Sequence, residues 1–470
     1  MALIQSISGI RGTLGGKPGE GLSPVDVLTF SGAYGMWLRS RFPEERLRVV
    51  IGRDARISGP AINKIVTATL QSMGIDIIEG GATTTPTVAM GVAFFKAHGG
   101  IIITASHNPK NWNALKLLNE RGEFLSAAQG QEMQKFLNWE QFEFVPVEKY
   151  GSYTIEESLL EMHIEKIMAL PLVDVEAIQA ANFSVVVDGV NSVGGVAIPM
   201  LLEALGVKKV HEIYCEPNGI FPHNPEPLPE NLIELSAEVL TKNAHLGIAV
   251  DPDVDRLALV CEDGEMFGEE YTLVAVADYV LSNTPGSTVS NLSSTQALAE
   301  VTRAHGQEYF SSAVGEVNVV EAMKKHNAVI GGEGNGGVIY PALHYGRDAL
   351  VGVALFLTHL AKFGKTCTLL KKKYPEYYIS KNKIELPEDI DLDDIFKKII
   401  AKYAKQPIDQ TDGAKIMFDK EWVHLRRSNT EPIIRIYCES DSLVKAEHLG
   451  RKMILDISEM IRGDEPEEGD

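Results

Sequence analysis

A polar loop that directly follows an apolar run carries the first candidate for chemistry. Residues 101–104 read IIIT and residues 105–109 read ASHNP. A serine hydroxyl such as that of Ser106 is a weak nucleophile unless a base or a metal ion activates it. Because neighbouring residues on a strand point to opposite faces, His107 is not automatically placed as that base. The usual alternative is a turn whose polar side chains bond to the backbone.

A second loop, residues 251–256 with the sequence DPDVDR, places Asp251, Asp253 and Asp255 at alternate positions. Carboxylate oxygens suit a hard cation such as Mg²⁺. In a straight strand alternate Cα atoms lie about 6.6 Å apart, so the three carboxylates converge only if the chain bends. Pro252 favours such a bend. Without a cation the clustered carboxylates would repel each other and partly protonate.

A calcium-binding EF-hand loop is the main competing interpretation of this segment. The acidic residues from Asp251 to Glu262 match the ligand positions of such a loop. However, Arg256 stands where the loop requires glycine, and strand-like apolar runs flank the segment where helices should. We therefore reject the EF-hand, and a solvated acidic turn remains the other alternative.

Residues 331–337, with the sequence GGEGNGG, form a third candidate loop. Five glycines let the backbone approach a ligand closely. Glu333 and Asn335 can bond to sugar hydroxyls. The loop lacks the lysine of a phosphate-binding P-loop and the glycine spacing of a dinucleotide site. A flexible turn is the structural alternative.

Arginine residues mark two further candidate segments. Residues 426–431, with the sequence RRSNTE, combine guanidinium, hydroxyl and amide groups that suit a phosphate, and Arg435 follows them. Near the N-terminus, Arg11 lies in the glycine-flanked segment SGIRG. Arginine-bearing turns are often merely solvated, so each segment is weak evidence when it is taken alone.

These loops occupy equivalent places in a repeated pattern of elements. In three successive segments a β-branched strand leads to a turn, a second strand follows a glycine, and a third strand runs into a loop. The third strands are predicted at residues 101–104, 246–250 and 328–330. Ligands of open α/β sheets bind beyond the carboxyl ends of strands, so the three loops should line one cleft.

The fold class predicted is α/β, with three related α/β domains around a cleft and a smaller C-terminal α+β domain. From about Pro375 charged helical segments and an alternating strand at residues 433–438 replace the earlier pattern. The predicted divisions are 1–153 with the serine loop, 154–262 with the aspartate loop, 263–373 with the glycine-rich loop and 374–470 with the arginine loop.

The composition limits the classes of partner. The chain has 470 residues and a formal net charge of −20, which disfavours non-specific binding to nucleic acid or to an anionic membrane. No apolar run approaches the length of a membrane span, and no secretory leader is evident. The four cysteines are widely spaced and form no CxxC pair, so we predict reduced thiols and a cytoplasmic protein.

Together these segments resemble the α-D-phosphohexomutase superfamily, which includes phosphoglucomutase, phosphomannomutase and phosphoglucosamine mutase. TASHNP followed by DPDVDR carries most of the resemblance, and the motifs keep the family's order nearly from end to end. The resemblance implies three related domains and a fourth, smaller domain around a deep cleft. It also implies an isomerase that moves a phosphoryl group between the 1 and 6 positions of a hexose through a phosphoserine and a 1,6-bisphosphate.

The resemblance assigns roles to individual residues. Ser106 would hold the phosphoryl group, and one Mg²⁺ per chain would bind the three aspartates and a phosphoserine oxygen. A hexose 1,6-bisphosphate would act as an activator. Glu333 and Asn335 would bind the sugar. The phosphate that is not reacting would be held by Arg427, Ser428, Asn429, Thr430 and Arg435. The reacting phosphoryl group would be surrounded by Arg11, Lys116, His107 and Arg256, of which Lys116 and His107 are the candidates for proton transfer.

The sequence departs from the commoner bacterial pattern of the superfamily at three positions. Asn335 and Gly337 replace serine and a closing histidine, and Glu316 stands where many members carry histidine. These variants look more like archaeal-type phosphoglucosamine and phosphomannose mutases, and they leave the sugar specificity open. The resemblance of whole segments favours phosphoglucosamine as substrate, with phosphomannose and phosphoglucose close behind. The other hypotheses are a metal-dependent phosphatase with an aspartate nucleophile and a non-catalytic sugar-phosphate-binding protein. The oligomeric state expected is a monomer or a homodimer.

Overall fold

Short, fully buried strands lie at the centre of three mixed sheets. The computed structural model describes residues 2–6, 9–386, 391–427 and 433–462. The strands Gly99–Ile103 in the first sheet and Leu246–Val250 in the second are buried at every position. Such strands need helices on both faces of the sheet, and the chain supplies them between the strands. The prediction of three α/β domains followed by a smaller one is confirmed.

The first domain contains a seven-stranded sheet and four helices. Its strands are β1 (Leu3–Ser6), β2 (Gly9–Thr13), β3 (Arg48–Arg53), β4 (Asp76–Ala82), β5 (Gly99–Ile103), β6 (Trp112–Leu118) and β7 (Tyr153–Ile155). Its helices are α1 (Pro24–Arg41), α2 (Gly59–Ser72), α3 (Thr85–Phe94) and α4 (Ala127–Gln134). Ser23 and Asp26 form a capping box that, together with Pro24, begins α1.

The second domain contains a four-stranded sheet. Its elements are α5 (Leu159–Met168), α6 (Val175–Ala181), β8 (Ser184–Asp188), α7 (Gly194–Ala204), β9 (Lys209–Ile213), α8 (Ile233–Thr241), β10 (Leu246–Val250) and β11 (Leu257–Cys261). Short 3₁₀ turns lie at Trp139–Gln141 and Val147–Lys149, before this domain, and at Pro229–Asn231 within it.

The third domain repeats this plan with another four-stranded sheet. Its elements are α9 (Glu269–Asn283), β12 (Thr288–Asn291), α10 (Ala297–Ala304), β13 (Tyr309–Ser312), α11 (Glu316–Lys325), β14 (Ile330–Glu333), β15 (Gly337–Ile339), α12 (Ala349–Phe363) and α13 (Cys367–Lys371). One continuous apolar core joins the second and third domains.

The three sheets share one strand order, which gives the sequence repeat its structural meaning. The orders are β6-β5-β3-β4 within the first sheet, β11-β10-β8-β9 in the second and β15-β14-β12-β13 in the third. Strands β3, β8 and β12 each run parallel to both of their neighbours, and β5, β10 and β14 each pair with an antiparallel return strand. The return strands β11 and β15 lie at an edge, whereas β2 and β1 extend the first sheet beyond β6. The serine, aspartate and glycine-rich loops therefore all follow the equivalent strands β5, β10 and β14.

The fourth domain packs two helices on a five-stranded antiparallel sheet of order β16-β20-β19-β18-β17. Its elements are β16 (Tyr378–Glu385), α14 (Leu392–Lys402), β17 (Ile408–Asp409), β18 (Ala414–Met417), β19 (Trp422–Arg427), β20 (Ile433–Ser440) and α15 (Leu443–Arg462). Buried residues at helical spacing in α15 (Ala446, Leu449, Met453 and Ile457) cover one face of the sheet.

Two predicted boundaries were wrong. Gly331 and Gly332 belong to strand β14, because they continue its ladder with β12, and the glycine-rich turn is reduced to residues 334–336. Arg426 and Arg427 do not lie in a loop but end strand β19, where they pair with β20. We propose domain divisions at 153/154, 262/263 and 373/374, although strand β7 crosses the first of them.

A buried hydrogen-bonded chain ties the first three domains together. Thr87 Oγ1 in α3 contacts His163 Nδ1, and His163 Nε2 contacts Asp348 Oδ2 at 3.0 Å. His344 Nε2 bonds to the same oxygen at 3.2 Å, while Asp348 Oδ1 caps the first turn of α12. The relative placement of the three domains is thus set by polar contacts as well as by the core.

Two chain-wide predictions also have counterparts in the structure. All four cysteines are free, and three of them are buried. Among the described helices, none combines the length and the apolar character that a bilayer crossing requires.

Candidate active site

Ser106 lies in a strained turn at the carboxyl end of strand β5. Its φ angle is 49°, a left-handed conformation that non-glycine residues rarely adopt. The backbone N–H of Ser106 donates to Thr104 Oγ1 at 2.9 Å. Its Oγ donates to Asp251 Oδ2 at 2.6 Å, across the boundary between the first two domains. The turn therefore aims the hydroxyl at the aspartate loop.

Arg56 holds the serine turn through its backbone carbonyl oxygens. Its guanidinium donates to the carbonyl oxygens of Ser106 and Asn108 at 2.5 and 2.6 Å, and to two more carbonyls of the same loop. Asp54 Oδ2 accepts from Arg56 Nε at 2.9 Å and from Thr104 Oγ1 at 2.7 Å. Both Arg56 and Asp54 are buried. This role of Arg56 could not be predicted, because nothing near an arginine in a turn indicates that it will donate to carbonyl oxygens 50 residues away.

The aspartate loop bends as metal binding would require. Val254 adopts a φ of 63°, and Asp251 Oδ1 accepts the backbone N–H groups of Asp255 and Arg256 at 3.1 Å each. These contacts turn the three aspartates inward, and all three are completely buried. One carboxylate oxygen from each lies within 4.8 Å of the others. The convergence expected from their spacing is therefore present.

Hydrogen-bond donors of the protein contact only some of the oxygen atoms of these carboxylates. Asp253 Oδ2 accepts from Thr85 Oγ1 at 2.5 Å and from Lys116 Nζ at 2.8 Å, whereas its Oδ1 is buried with no hydrogen-bond partner. Asp255 Oδ1 is likewise buried and unpartnered by hydrogen bonds. Buried carboxylate oxygens without donors are costly unless a cation binds them. The residues present thus fit a hard metal ion.

The ionisation of the loop also favours a cation. Burial and the charges of Asp255 and Asp253 raise the pKa of Asp251 well above its ordinary value. Burial acts in the same direction on Asp253, but the Lys116 ammonium and the hydroxyl of Thr85 outweigh it and lower its pKa. Three carboxylates at such distances cannot all ionise without compensating positive charge.

Two predicted cations lie beside this loop. Lys116, in β6, contacts Asp253 and also Asp255 Oδ2 at 3.4 Å. Burial alone would lower the pKa of Lys116, but these two carboxylates raise it above its ordinary value. Arg256 Nη1 donates to Glu226 Oε1 at 3.0 Å, and its Nε lies 4.0 Å from Asp255 Oδ1. Both side chains therefore bring positive charge to the serine hydroxyl.

His107 contacts Ser106 in space as well as following it in the sequence. Its Nδ1 lies 3.3 Å from Ser106 Oγ. Desolvation, followed by the charges of Arg256 and Arg347, lowers the pKa of His107 well below its ordinary value. The ring is therefore neutral near pH 7, and one of its nitrogens can accept a hydrogen bond.

The glycine-rich loop places Glu333 at the end of β14. Glu333 Oε1 accepts from Asn291 Nδ2 at 2.8 Å and from the backbone N–H of Gly315 at 3.1 Å. Burial opposes ionisation of Glu333, but Arg347 and Asn291 lower its pKa. Asn335 Oδ1 accepts from the N–H of Gly337 at 3.2 Å, within its own turn. Of the two predicted sugar-binding residues, Glu333 thus ends β14 and Asn335 lies in the turn that follows it.

Arg347 joins the aspartate loop to the glycine-rich segment, and this role was not predicted from the sequence. Its Nη2 donates to Asp255 Oδ2 at 2.7 Å and its Nη1 donates to Glu333 Oε2 at 3.1 Å. Its Nε donates to Glu316 Oε2 at 2.9 Å. The chain segment around Arg347 has no repeat or glycine motif, so only the departure at Glu316 gave a hint of this pairing.

The predicted phosphate-binding segment of the fourth domain is partly described. Arg427 is exposed at the end of β19, where its guanidinium contacts the Asp393 carboxylate and stacks over the Phe396 ring. Ser428, Asn429 and Thr430 lie outside the described residues. Arg435 pairs with Arg426 across the β19–β20 ladder. Partial desolvation, and then the positive charge of Arg435, lower the pKa of Arg11. The cations of the first and fourth domains thus influence each other.

Comparison with known proteins decides the family. The three α/β domains of phosphoglucomutase/phosphomannomutase match residues 3–143, 161–264 and 268–378, and the C-terminal domain of that family matches residues 383–455. The chain belongs to the phosphoglucomutase/phosphomannomutase family. The resemblance drawn from TASHNP and DPDVDR is therefore confirmed, and the protein is a phosphohexomutase, an isomerase of sugar phosphates.

Relatives of this phosphohexomutase extend over the whole chain. A Thermococcus kodakarensis protein named "Phosphoglucomutase/phosphomannomutase" is 36% identical over 96% of this chain and 99% of its own. A Methanopyrus kandleri protein named "Probable phosphoglucosamine mutase" is 32% identical over 96% of each chain. The crystal structure of a phosphoglucomutase/phosphomannomutase family protein from Burkholderia thailandensis has a TM-score of 0.82 at 26% identity, covering 97% of this chain and 98% of that one.

Proposed function

We propose that this phosphohexomutase interconverts hexose 1-phosphates and 6-phosphates through a phosphoryl group carried on Ser106. The 2.6 Å contact between Ser106 Oγ and Asp251 Oδ2 carries this proposal. A phosphoryl group on Oγ would lie among the converging aspartates, Lys116 and Arg256. Phosphoryl transfer needs in-line positioning and neutralisation of charge on the equatorial oxygens, and such a setting supplies both.

One Mg²⁺ per chain fits the aspartate loop. We propose Asp251, Asp253 and Asp255 as its ligands, together with an oxygen of Ser106 or of its phosphoryl group. The unpartnered carboxylate oxygens of Asp253 and Asp255 support this assignment. When bound, the ion would neutralise negative charge on the phosphoryl oxygens.

The side chains around Ser106 can manage both transfer and protons. In the first step a hydroxyl oxygen of the hexose monophosphate attacks phosphorus, and the bond from phosphorus to Ser106 Oγ breaks. We propose His107 and Lys116 as the candidates for proton transfer, because His107 Nδ1 lies 3.3 Å from Ser106 Oγ and Lys116 Nζ contacts Asp253 and Asp255 beside it. Arg256 and Arg11 would balance the phosphoryl charge.

The product of the first step is a hexose 1,6-bisphosphate, which must turn over in the cleft. Its other phosphoryl group then returns to Ser106 by the reverse transfer. A bisphosphate supplied from solution would phosphorylate an unmodified Ser106 in the same way, so we propose it as the activator. Arg427, Ser428, Asn429, Thr430 and Arg435 would hold whichever phosphate is not reacting.

The preferred sugar is proposed to be glucosamine phosphate, with mannose and glucose phosphates as the alternatives. Glu316 and Glu333 share one cation, Arg347, and the remaining negative charge favours a protonated amino group. Glu333 and Asn335 would contact the sugar hydroxyls. The name of the Methanopyrus relative refers to glucosamine, whereas the name of the Thermococcus relative refers to glucose and mannose. We also propose a cytoplasmic monomer or homodimer, a location that the four free thiols support.

The test compares the wild type with Ser106→Ala. Each protein is assayed with Mg²⁺, a trace of glucose 1,6-bisphosphate and the 1-phosphates of glucosamine, mannose and glucose. We expect Ser106→Ala to lose at least ~10³-fold in kcat/KM. Ser31→Ala is the matched control, because Ser31 is an equally buried serine whose hydroxyl bonds only to Val27 O inside α1. Relative turnover of the three sugars ranks the substrates.

Intact-mass analysis separates the two chemistries that an active protein could use. Wild type incubated with bisphosphate should gain one phosphoryl group that Ser106→Ala does not gain. Hydroxylamine cleaves an acyl phosphate but leaves phosphoserine intact. Full mutase activity in Ser106→Ala, or a label that survives in that variant and is removed by hydroxylamine, would replace this proposal with an aspartate nucleophile.

A further inference from the structure

A single guanidinium contacts one acidic residue from each of three elements around the cleft. Arg347 lies between strand β15 and helix α12 and is buried. Its three nitrogens reach Asp255 in the aspartate loop, Glu333 at the end of β14 and Glu316 at the start of α11. The planar fork of arginine can make three such bonds in fixed directions, which a lysine ammonium cannot reproduce.

The contact to Asp255 leaves one oxygen for other ligands. Arg347 and Lys116 both donate to Asp255 Oδ2, at 2.7 and 3.4 Å. Oδ1 is the buried atom with no hydrogen-bond partner, and Asp255 lies in the group with Asp251 and Asp253 that can hold a metal ion. The guanidinium thus sets the rotation of this carboxylate.

Arg347 fixes Glu333 in the same way. Glu333 Oε2 accepts from Arg347 Nη1, while Oε1 is held by Asn291 and the N–H of Gly315. With both oxygens tied, the carboxylate has one orientation at the end of the glycine-rich turn. The two loops therefore cannot change their orientation independently while Arg347 stays in place.

Gly337 provides the room for this arrangement. A Cβ atom at position 337 would lie 2.3 Å from Arg347 Cδ and 3.0 Å from its Cγ, so any side chain there would displace the arginine. The glycine at 337 and the arginine at 347 therefore depend on each other. This explains in physical terms why a chain that uses Arg347 here cannot carry a histidine at position 337.

We propose that Arg347 is a positioning residue that couples the metal ligand Asp255 to the sugar-binding residue Glu333. The inference rests on the proposed function for the role of Glu333, and it adds that metal affinity and sugar affinity are set by one side chain. A substitution at position 347 should then change both quantities together, whereas a residue that only stabilised the fold would change neither in the folded protein.

The first measurement is metal binding without turnover. Mn²⁺, as a probe for the metal site, is titrated by electron paramagnetic resonance into full-length wild type, Arg347→Met, Arg347→Lys and Gly337→Ala. Loss of a residue that orients a metal ligand typically costs about 10- to 100-fold in metal affinity, and we expect that loss in Arg347→Met. Arg46→Met is the control, because Arg46 forms an exposed ion pair with Asp76 in the first domain, and the Mn²⁺ affinity of this variant should stay at the wild-type value.

The second measurement is KM for the hexose phosphate, which should rise by about tenfold or more in Arg347→Met, by the same loss of orientation. Arg347→Lys should not restore either quantity, because one ammonium cannot contact both loops. Gly337→Ala displaces the guanidinium without removing its charge, and it serves if Arg347→Met does not fold. Unchanged Mn²⁺ affinity and KM in folded Arg347→Met would overturn the inference.

The two proposals can fail separately. If the wild type shows no mutase activity, the proposed function fails, while Mn²⁺ binding still tests the bond from Arg347 to Asp255. If the wild type is an active mutase and Arg347→Met binds Mn²⁺ and sugar as the wild type does, only the coupling is refuted.

Discussion

Replacing Arg56 by methionine should separate the stability of the first domain from its chemistry. The guanidinium bonds to Asp54 and to the carbonyls of Ser106, Asn108, Pro109 and Trp112. Asp54 and Ser106 are buried, so water cannot readily replace the guanidinium at these two groups. Methionine fills a similar volume but donates nothing. Asp54 would remain buried with only the Thr104 hydroxyl and one backbone N–H as donors.

The cost of this change can be worked from the contacts. Removing one partner of a buried ion pair costs about 3–5 kcal/mol, and each carbonyl that loses its donor adds roughly 0.5–1.5 kcal/mol, with strong overlap between these values. Domains are stable by only about 5–15 kcal/mol, so Arg56→Met should lower Tm markedly or prevent folding. Asp54 would respond by taking up a proton, since burial already raises its pKa.

A second variant isolates the effect on catalysis. In Arg56→Met/Asp54→Asn the uncompensated charge is gone, so much of the stability should return. The carbonyls of the turn stay unheld, and the φ of 49° at Ser106 then has no guanidinium to maintain it. Displacement of a nucleophile by about 1 Å can cost about 10²-fold in rate, and we expect a loss of that order in kcat.

Chemical denaturation, thermal melts and mutase assays on the same preparations measure both effects. Arg53→Met is the matched control, because Arg53 lies three residues away and its guanidinium makes one bond, to Asp54 O at 3.1 Å. That variant should be close to wild type in both respects. A double variant that is stable and fully active would refute the view that Arg56 positions the nucleophile.

Two further predictions concern the third and fourth domains. Burial lowers the pKa of His424 to about 4, and its Nδ1 contacts Ser293 across the domain boundary. Because the unfolded chain protonates this residue near pH 6.5 and the folded chain does not, stability should fall between pH 6.5 and 4 by up to roughly 3 kcal/mol. The free energy of unfolding, measured by chemical denaturation at several pH values in that range, should depend less on pH in His424→Asn than in the wild type. An equal pH dependence in the two proteins would contradict the assignment. Gly332→Ala should lower Tm and raise the sugar-phosphate KM, since its Cβ would lie 1.9 Å from Gly337 O. A melt and a KM at the wild-type values would show that the turn tolerates the methyl group.

The loops that carry the chemistry could be predicted because each is encoded by adjacent residues. The alternating aspartates of DPDVDR and the nucleophile of TASHNP are local patterns, and apolar strands before them place both loops at sheet ends. The equivalent positions of the three loops, after β5, β10 and β14, followed from the repeat of strand, turn and glycine. Local sequence is sufficient here because a strand and the loop after it are positioned by the same short segment.

The supporting residues could not be predicted, because their partners are distant in sequence. Arg56 acts on carbonyls 50 or more positions away, and Arg347 reaches Asp255 across 92 positions. Their side chains carry no periodicity, and a solvated arginine looks the same in the sequence. The errors at Gly331 and at Arg426 have a related cause. Pairing with β12 and β20 extends strands through residues whose types are typical of loops.

The aspartate loop is completed by groups from outside its own domain. Thr85 and Lys116 of the first domain hold Asp253, and Ser106 of the same domain bonds to Asp251. Arg347 of the third domain holds Asp255. Side chains of the first and third domains therefore add to the backbone contacts that already turn Asp251 within its own loop. Because the repeated domains place equivalent loops at one centre, residues of three separate domains meet there, and a small shift between domains alters the contacts of all three loops at once.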